Sequence, residues 1–166
     1  RDMDPGILDC LVQFKTSDLV GNNPNIFFYG ASYGFVSGLT LRYVHVMVDF
    51  VQHFGDLSGF DIVEIGGGFG GQSKIISDAF SVSSYTIVDI PEAVALISRF
   101  QEYFPAIKAR SILLAPSQDD LGETVHGKSL DDHDFVLPSY DLCISNYAFT
   151  ELDLKTRKRY WPLLKR

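Results

Sequence analysis

Short, almost uninterrupted apolar runs recur at residues 61–65, 84–89, about 110–114 and 140–145. That is the pattern of buried strands rather than of strands with one wet face. The segments between them follow the helical period instead. Thr40 is placed to cap a helix running to about Phe54, with Leu41, Val44, Met47, Val48 and Val51 as its inward stripe and Arg42, His45, Asp49 and His53 mostly off it. Pro91 suits the first turn of a second helix, whose buried stripe is Ala93, Val94, Leu96, Ile97 and Phe100 and which Pro105 stops. Residues 1–35 fit neither period well. Ile7–Phe14 could form a short helix, Gly21–Asn25 is a turn cluster, and Phe27–Gly34 alternates aromatic with small residues and reads as a packed loop, a core cover or a lid. Alternation of strand and helix predicts an α/β fold, with a helical and aromatic cap segment over 1–56 and the sheet-bearing domain over 57–166.

At 166 residues and 46% hydrophobic composition, the chain can bury the core of one globular domain. A formal charge of −7 argues against nucleic acid and anionic membranes as partners. The positive cluster from Lys155 to Arg159, with Lys165 and Arg166, reads as the solvated face of a helix. Cys10 and Cys143 have no metal-ligand spacing, and Cys143 falls in a predicted buried strand as a small apolar side chain. No apolar run approaches 18 residues and no signal peptide stands out, so the expected location is cytoplasmic.

The chemistry concentrates at the strand ends. Asp61-Ile-Val-Glu64-Ile-Gly66-Gly67-Gly68-Phe-Gly70-Gly71-Gln72 joins an apolar strand to a glycine cluster and then to a helix-compatible segment. This is how the first turn of a βαβ unit receives a nucleotide-like cofactor, because glycine lets backbone approach the ligand. Glu64 discriminates between cofactors. A carboxylate there would repel the pyrophosphate of a dinucleotide, whereas the sulfonium and α-ammonium of S-adenosylmethionine would be attracted to it, directly or through water. Asp89 ends the second strand about 20 residues past the glycines, the spacing for a carboxylate that accepts from ribose hydroxyls, and it could equally cap the next helix. Tyr140–Leu152 places Ser145 and Asn146 at the end of a further strand, where open α/β sheets bind ligands.

Glu64–Gln72, Val88-Asp-Ile-Pro91 and Ser145-Asn-Tyr-Ala-Phe-Thr-Glu-Leu152 together resemble the sugar O-methyltransferases, a group of class I S-adenosylmethionine-dependent methyltransferases, over roughly residues 26–155. The resemblance implies a Rossmann-like sheet with helices on both faces and S-adenosyl-L-methionine as cofactor. It implies cofactor contacts from Glu64, Gly66, Gly67, Gly68, Gly70, Asp89, Ile90, Ser117, Gln118, Ser145 and Asn146. Asn146, Tyr147 and Glu151 would face a small-molecule or glycan acceptor, the amide orienting hydroxyls and the ring stacking on a sugar. A sheet of that class has seven strands, of which four are legible here. The expectation is therefore a domain truncated after the fourth strand, with an open edge and a tendency to homo-oligomerise.

Transfer to a sugar hydroxyl calls for a general base, and His126, His133 and Glu151 are the candidates. Asp141, Asn146 and Glu151 could be considered for a metal, but Asp141 starts its strand at the far end, and no metal is expected. Residues 115–139 form a long polar connection, of a length that is usually functional. Two other readings fit part of the pattern: an NAD-type oxidoreductase, which explains the glycines and Asp89 but not Glu64, and a non-catalytic methyltransferase-like binding module.

Overall fold

The structure, a computed structural model, describes residues 5–108, 111–114 and 139–161. The chain divides into two compact units, Arg1–Ser58 with Gly70–Val82, and Gly59–Phe69 with Ser83–Arg166.

The first unit contains α1 (Pro5–Phe14), a 3₁₀ turn (Lys15–Leu19), β1 (Ile26–Phe28), α2 (Gly30–Tyr33), β2 (Phe35–Ser37), α3 (Gly38–Phe54) and α4 (Gly71–Ala79). α1 and α3 both pack on α4, burying Leu11, Phe14, Tyr43, Val44, Met47, Ile75 and Ile76. α3 begins three residues before the sequence suggests. Its cap is Ser37, whose hydroxyl accepts from the Thr40 amide at 3.0 Å, so Thr40 does not cap it. Thr40 instead donates its hydroxyl at 2.8 Å to buried Asp18, which also accepts from the Ser37 amide at 2.8 Å and the Ser37 hydroxyl at 2.6 Å. A buried carboxylate thus accepts three hydrogen bonds, which ties the 3₁₀ turn to the start of α3. The stripe rotates accordingly: Thr40, Tyr43, Val44 and Met47 are buried, while Leu41, Val48 and Val51 are only partly so.

Residues 27–34 are not a packed loop. β1 and β2 form an antiparallel ladder pairing Ile26 with Ser37, Phe27 with Val36 and Phe28 with Phe35. α2 fills the connection, and Phe27, Phe28, Tyr29 and Phe35 remain exposed. In α4, Lys74 is buried and donates to the Gln13 carbonyl at 2.6 Å and to Asp78 one turn on. Burial pulls the Lys74 ammonium below its ordinary range and pushes Asp78 above its own, each opposed by the partner.

The second unit is a parallel sheet of β3 (Asp61–Ile65), β4 (Ser84–Val88), β5 (Ser111–Leu114) and β6 (Leu142–Ile144), in the order β5-β4-β3-β6. With α5 (Pro91–Gln101), α6 (Pro105–Lys108), α7 (Ala148–Glu151) and α8 (Leu154–Tyr160), it is an α/β arrangement compatible with a Rossmann-like fold. All four strands fall where the apolar runs predict them. Asp61 pairs with Ser84, Ile62 with Tyr85 and Leu142, and Glu64 with Ile87 and Ile144. Alternation then sends Val63, Ile65 and Val88 to one face, where Tyr160 of α8 buries against them with Phe149 and Leu152 alongside. Each such fully buried aliphatic contributes about 1.5–3 kcal/mol.

α5 starts at Pro91 as expected, but Ile90 rather than Asp89 is its cap residue, and no side chain caps it. Its inward face is Val94, Ile97, Phe100 and Gln101, the last turning in to donate to the Ser111 hydroxyl at 2.8 Å, and Leu96 is exposed. Cys143 is half-buried rather than buried, and its surroundings push the thiol up. At the opposite end of β3, Asp141 accepts from the Asp61 amide at 2.8 Å, which leaves it as a strand clasp. Among the described residues, no helix is long and apolar enough to cross a membrane.

Candidate functional site

The chain passes from β3 to β4 to β5 in one direction and then returns to place β6 on the other side of β3. The order therefore reverses between β3 and β6. In open parallel sheets the crevice outside the carboxyl ends at such a reversal is where ligands bind. The residues there are Glu64 and Gly66 to Gly68 after β3, Asp89 and Ile90 after β4, and Ser145 to Glu151 after β6, all within the second unit.

The glycine turn is specified residue by residue. Gly66 has a left-handed backbone, φ +80°, and a Cβ built on it would fall 2.0 Å from the Ala148 methyl, so the corner after β6 closes down on it. Gly67 lies against Ile87, whose Cγ2 would be 2.5 Å from such a Cβ, with Ile97 of α5 beyond. Gly68 differs. It is also left-handed, φ +62°, but nothing lies within 4 Å of where a Cβ would stand, and it is exposed. Packing therefore explains Gly66 and Gly67, whereas at Gly68 the left-handed backbone alone calls for glycine and the space around it is open. Gly70 belongs to the first unit, where it caps α4 with φ +93° and its carbonyl accepts from Ser73 Oγ at 2.8 Å.

Asp89 is held by two amides. One carboxylate oxygen accepts from Gly68 at 3.1 Å and the other from Ile90 at 2.8 Å. A carboxylate has about four lone-pair sites, so two remain for a diol. The same bonds commit the turn's donors: the Gly68 amide goes to Asp89, and the Gly66 amide goes to the Val88 carbonyl at 2.9 Å. These are amides that a pyrophosphate would otherwise use. Ile90, beside Asp89, is half exposed and offers an apolar surface.

Glu64 is 2% exposed on the face it shares with Tyr85, whose hydroxyl donates to its Oε2 at 3.1 Å. Burial raises the Glu64 carboxyl from 4.5 to about 8, the Tyr85 hydrogen bond opposes the rise, and the charge of Asp89 adds to it. Tyr85 is the partner of Glu64 that sequence reasoning missed. The signal was present, because alternation on two neighbouring parallel strands puts it on the same face as Glu64.

After β6, Ser145 Oγ accepts from the Phe149 amide at 3.0 Å, which closes the turn into α7. Tyr147 sits at φ +71°, a conformation costly for a bulky side chain, and the residue is 67% exposed. Three donors hold it there, since its carbonyl accepts from the Thr150 hydroxyl at 2.6 Å, the Thr150 amide at 2.9 Å and the Glu151 amide at 3.2 Å. Asn146 is half-buried and Glu151 exposed on the same corner. Ser117, Gln118, His126 and His133 lie outside the described residues. Among the described residues no group of three or more His, Cys, Asp or Glu is placed to hold a metal ion.

Comparison with protein-family models found no match, and comparison with curated proteins found none either.

Proposed function

We propose that the chain is part of an S-adenosylmethionine-dependent O-methyltransferase site acting on a hydroxyl of a sugar or glycoconjugate. The observation that carries this reading is the braced turn at the strand-order reversal, where Asp89 holds Gly68 open beside buried Glu64. The residues fit such a cofactor. Asp89 keeps lone pairs for the ribose diol, Ile90 offers an apolar surface to the adenine, and Gly68 leaves room for the backbone to approach. Glu64 provides the acidic end suited to a sulfonium and an ammonium. An NAD-type cofactor is disfavoured because two turn amides are already committed, whereas Asp89 would serve the ribose of either cofactor.

When bound, the cofactor supplies an electrophilic methyl group. The protein aligns the acceptor oxygen with that methyl and the sulfur behind it, and excludes water, contributions that positioning can make in large part. The strained corner after β6 presents Tyr147 and Asn146 for this, the ring stacking on a sugar face and the amide orienting hydroxyls. Glu151, the described candidate base, stands on the same corner to take the hydroxyl proton.

The acidic chain favours a neutral or weakly charged acceptor over a phosphorylated or carboxylated one. The test is methyl transfer from labelled cofactor to a panel of sugars, phenols and small acids. Label should appear in a sugar, and Glu151→Gln should lower kcat more than it changes KM. Transfer to a phenol or a carboxylate, with none to a sugar, would overturn the acceptor assignment.

A further inference from the structure

Glu64 is nearly inaccessible, yet it stands one residue before the end of β3 and two before Gly66 of the turn, and it accepts a hydrogen bond at 3.1 Å from Tyr85, itself fully buried. A carboxylate in that position faces two costs when charged: loss of water, and the neighbouring charge of Asp89 across the turn. Among the described residues of this unit the groups that oppose or support its ionisation are Tyr85 on β4, which donates to it, and Asp89 after β4, which repels it. A cation placed over the Gly66–Gly68 turn reverses the balance, because attraction in a water-poor site is stronger than in bulk solvent.

We propose that the Glu64–Tyr85 pair is a charge-selective subsite, in which arrival of a cationic ligand drives a proton off Glu64 into solvent while a neutral ligand of the same shape leaves it protonated. This rests on the methyl-donor reading above and specifies how its site tells the sulfonium cofactor from the thioether product. Glu64 is the specificity-determining residue. Tyr85 is a positioning residue: its hydroxyl stabilises the charged form and sets the pH at which discrimination appears. With the carboxyl near 8 in the ligand-free state, about a tenth of Glu64 is ionised at pH 7 and about nine tenths at pH 9. Affinity for a permanent cation should rise about tenfold over that interval.

The probes are 5′-deoxy-5′-dimethylsulfonioadenosine and 5′-methylthioadenosine, which differ by one S-methyl group and the positive charge it brings, neither with an amino-acid end that titrates. Calorimetry from pH 6 to 9, in buffers of differing ionisation enthalpy, counts the protons exchanged. The wild-type chain should release close to one proton on binding the sulfonium at pH 7 and none on binding the thioether, and sulfonium affinity should rise about tenfold from pH 7 to pH 9. Glu64→Gln should abolish both the release and the rise, and Tyr85→Phe should shift the rise to higher pH. Binding of both probes with equal, pH-independent affinity would overturn the subsite and leave the methyl-donor reading standing. Failure of both probes and of S-adenosylhomocysteine to bind would overturn the two together.

Discussion

Gly66 and Gly68 share a left-handed backbone but not a reason for it, and substitution separates the two. Gly66→Ala pays about 1–2 kcal/mol for the backbone and about 1–3 kcal/mol more for overpacking against Ala148. Urea unfolding should show the full loss, with part of it recovered in the double variant carrying Ala148→Gly. Gly68→Ala meets no neighbour, so it should lose only the backbone component while weakening cofactor binding. Asp89→Ala removes charge-assisted hydrogen bonds to the ligand and to the Gly68 amide. It should cost about 1.5–3 kcal/mol of S-adenosylhomocysteine affinity, read by calorimetry, and unchanged affinity would refute its ribose role. Glu64 makes stability depend on pH. Its carboxyl is near 8 in the native chain and 4.5 unfolded, so between those values the native state holds a proton that the unfolded chain has released. Its contribution is therefore most favourable below about 4.5 and is lost as pH rises toward 8. Glu64→Gln should match wild type in acid and exceed it increasingly up to pH 8, and parallel stability curves would contradict this.

At the level of elements, the strands were legible because a sheet buried on both faces writes itself as unbroken apolar runs, and β3 appears at its expected limits. Helix α5 was legible from Pro91, but its stripe was not. Leu96 faces out, and Gln101 faces in because a hydrogen bond to Ser111 outside the helix overrides hydropathy. The start of α3 was misplaced for a related reason. Thr40 looks like a cap locally, but Asp18, distant in sequence, recruits both Ser37 and Thr40, and no local pattern records that. The hairpin of β1 and β2 escaped because three-residue strands are too short to show a period, and their exposed aromatics do not alternate with polar residues. The strand-end acid, the glycines and Asp89 were legible from spacing, whereas Tyr85 needed the register between two strands. Ser37→Ala removes a cap and one partner of Asp18, and should cost about 1–3 kcal/mol in a urea titration. A loss under a few tenths would show that Asp18 alone sets the start of α3.

Across the whole molecule, charge and topology narrow the ligand from opposite directions. With a formal charge of −7, the chain should not be retained on heparin or phosphocellulose at about 0.1 M salt, and retention there would reopen nucleic acid as a partner. Topology supplies the positive part. The strand order β5-β4-β3-β6 gathers three strand ends at one reversal, and the proposed reading assigns each of them to one portion of a nucleoside-linked methyl donor. The central claim is the class of that cofactor. Calorimetric titration of the chain with S-adenosylhomocysteine and, separately, with NAD tests it most directly. The account predicts saturable binding of S-adenosylhomocysteine and no detectable heat of binding from NAD, whereas saturable binding of NAD, or of neither, would contradict it.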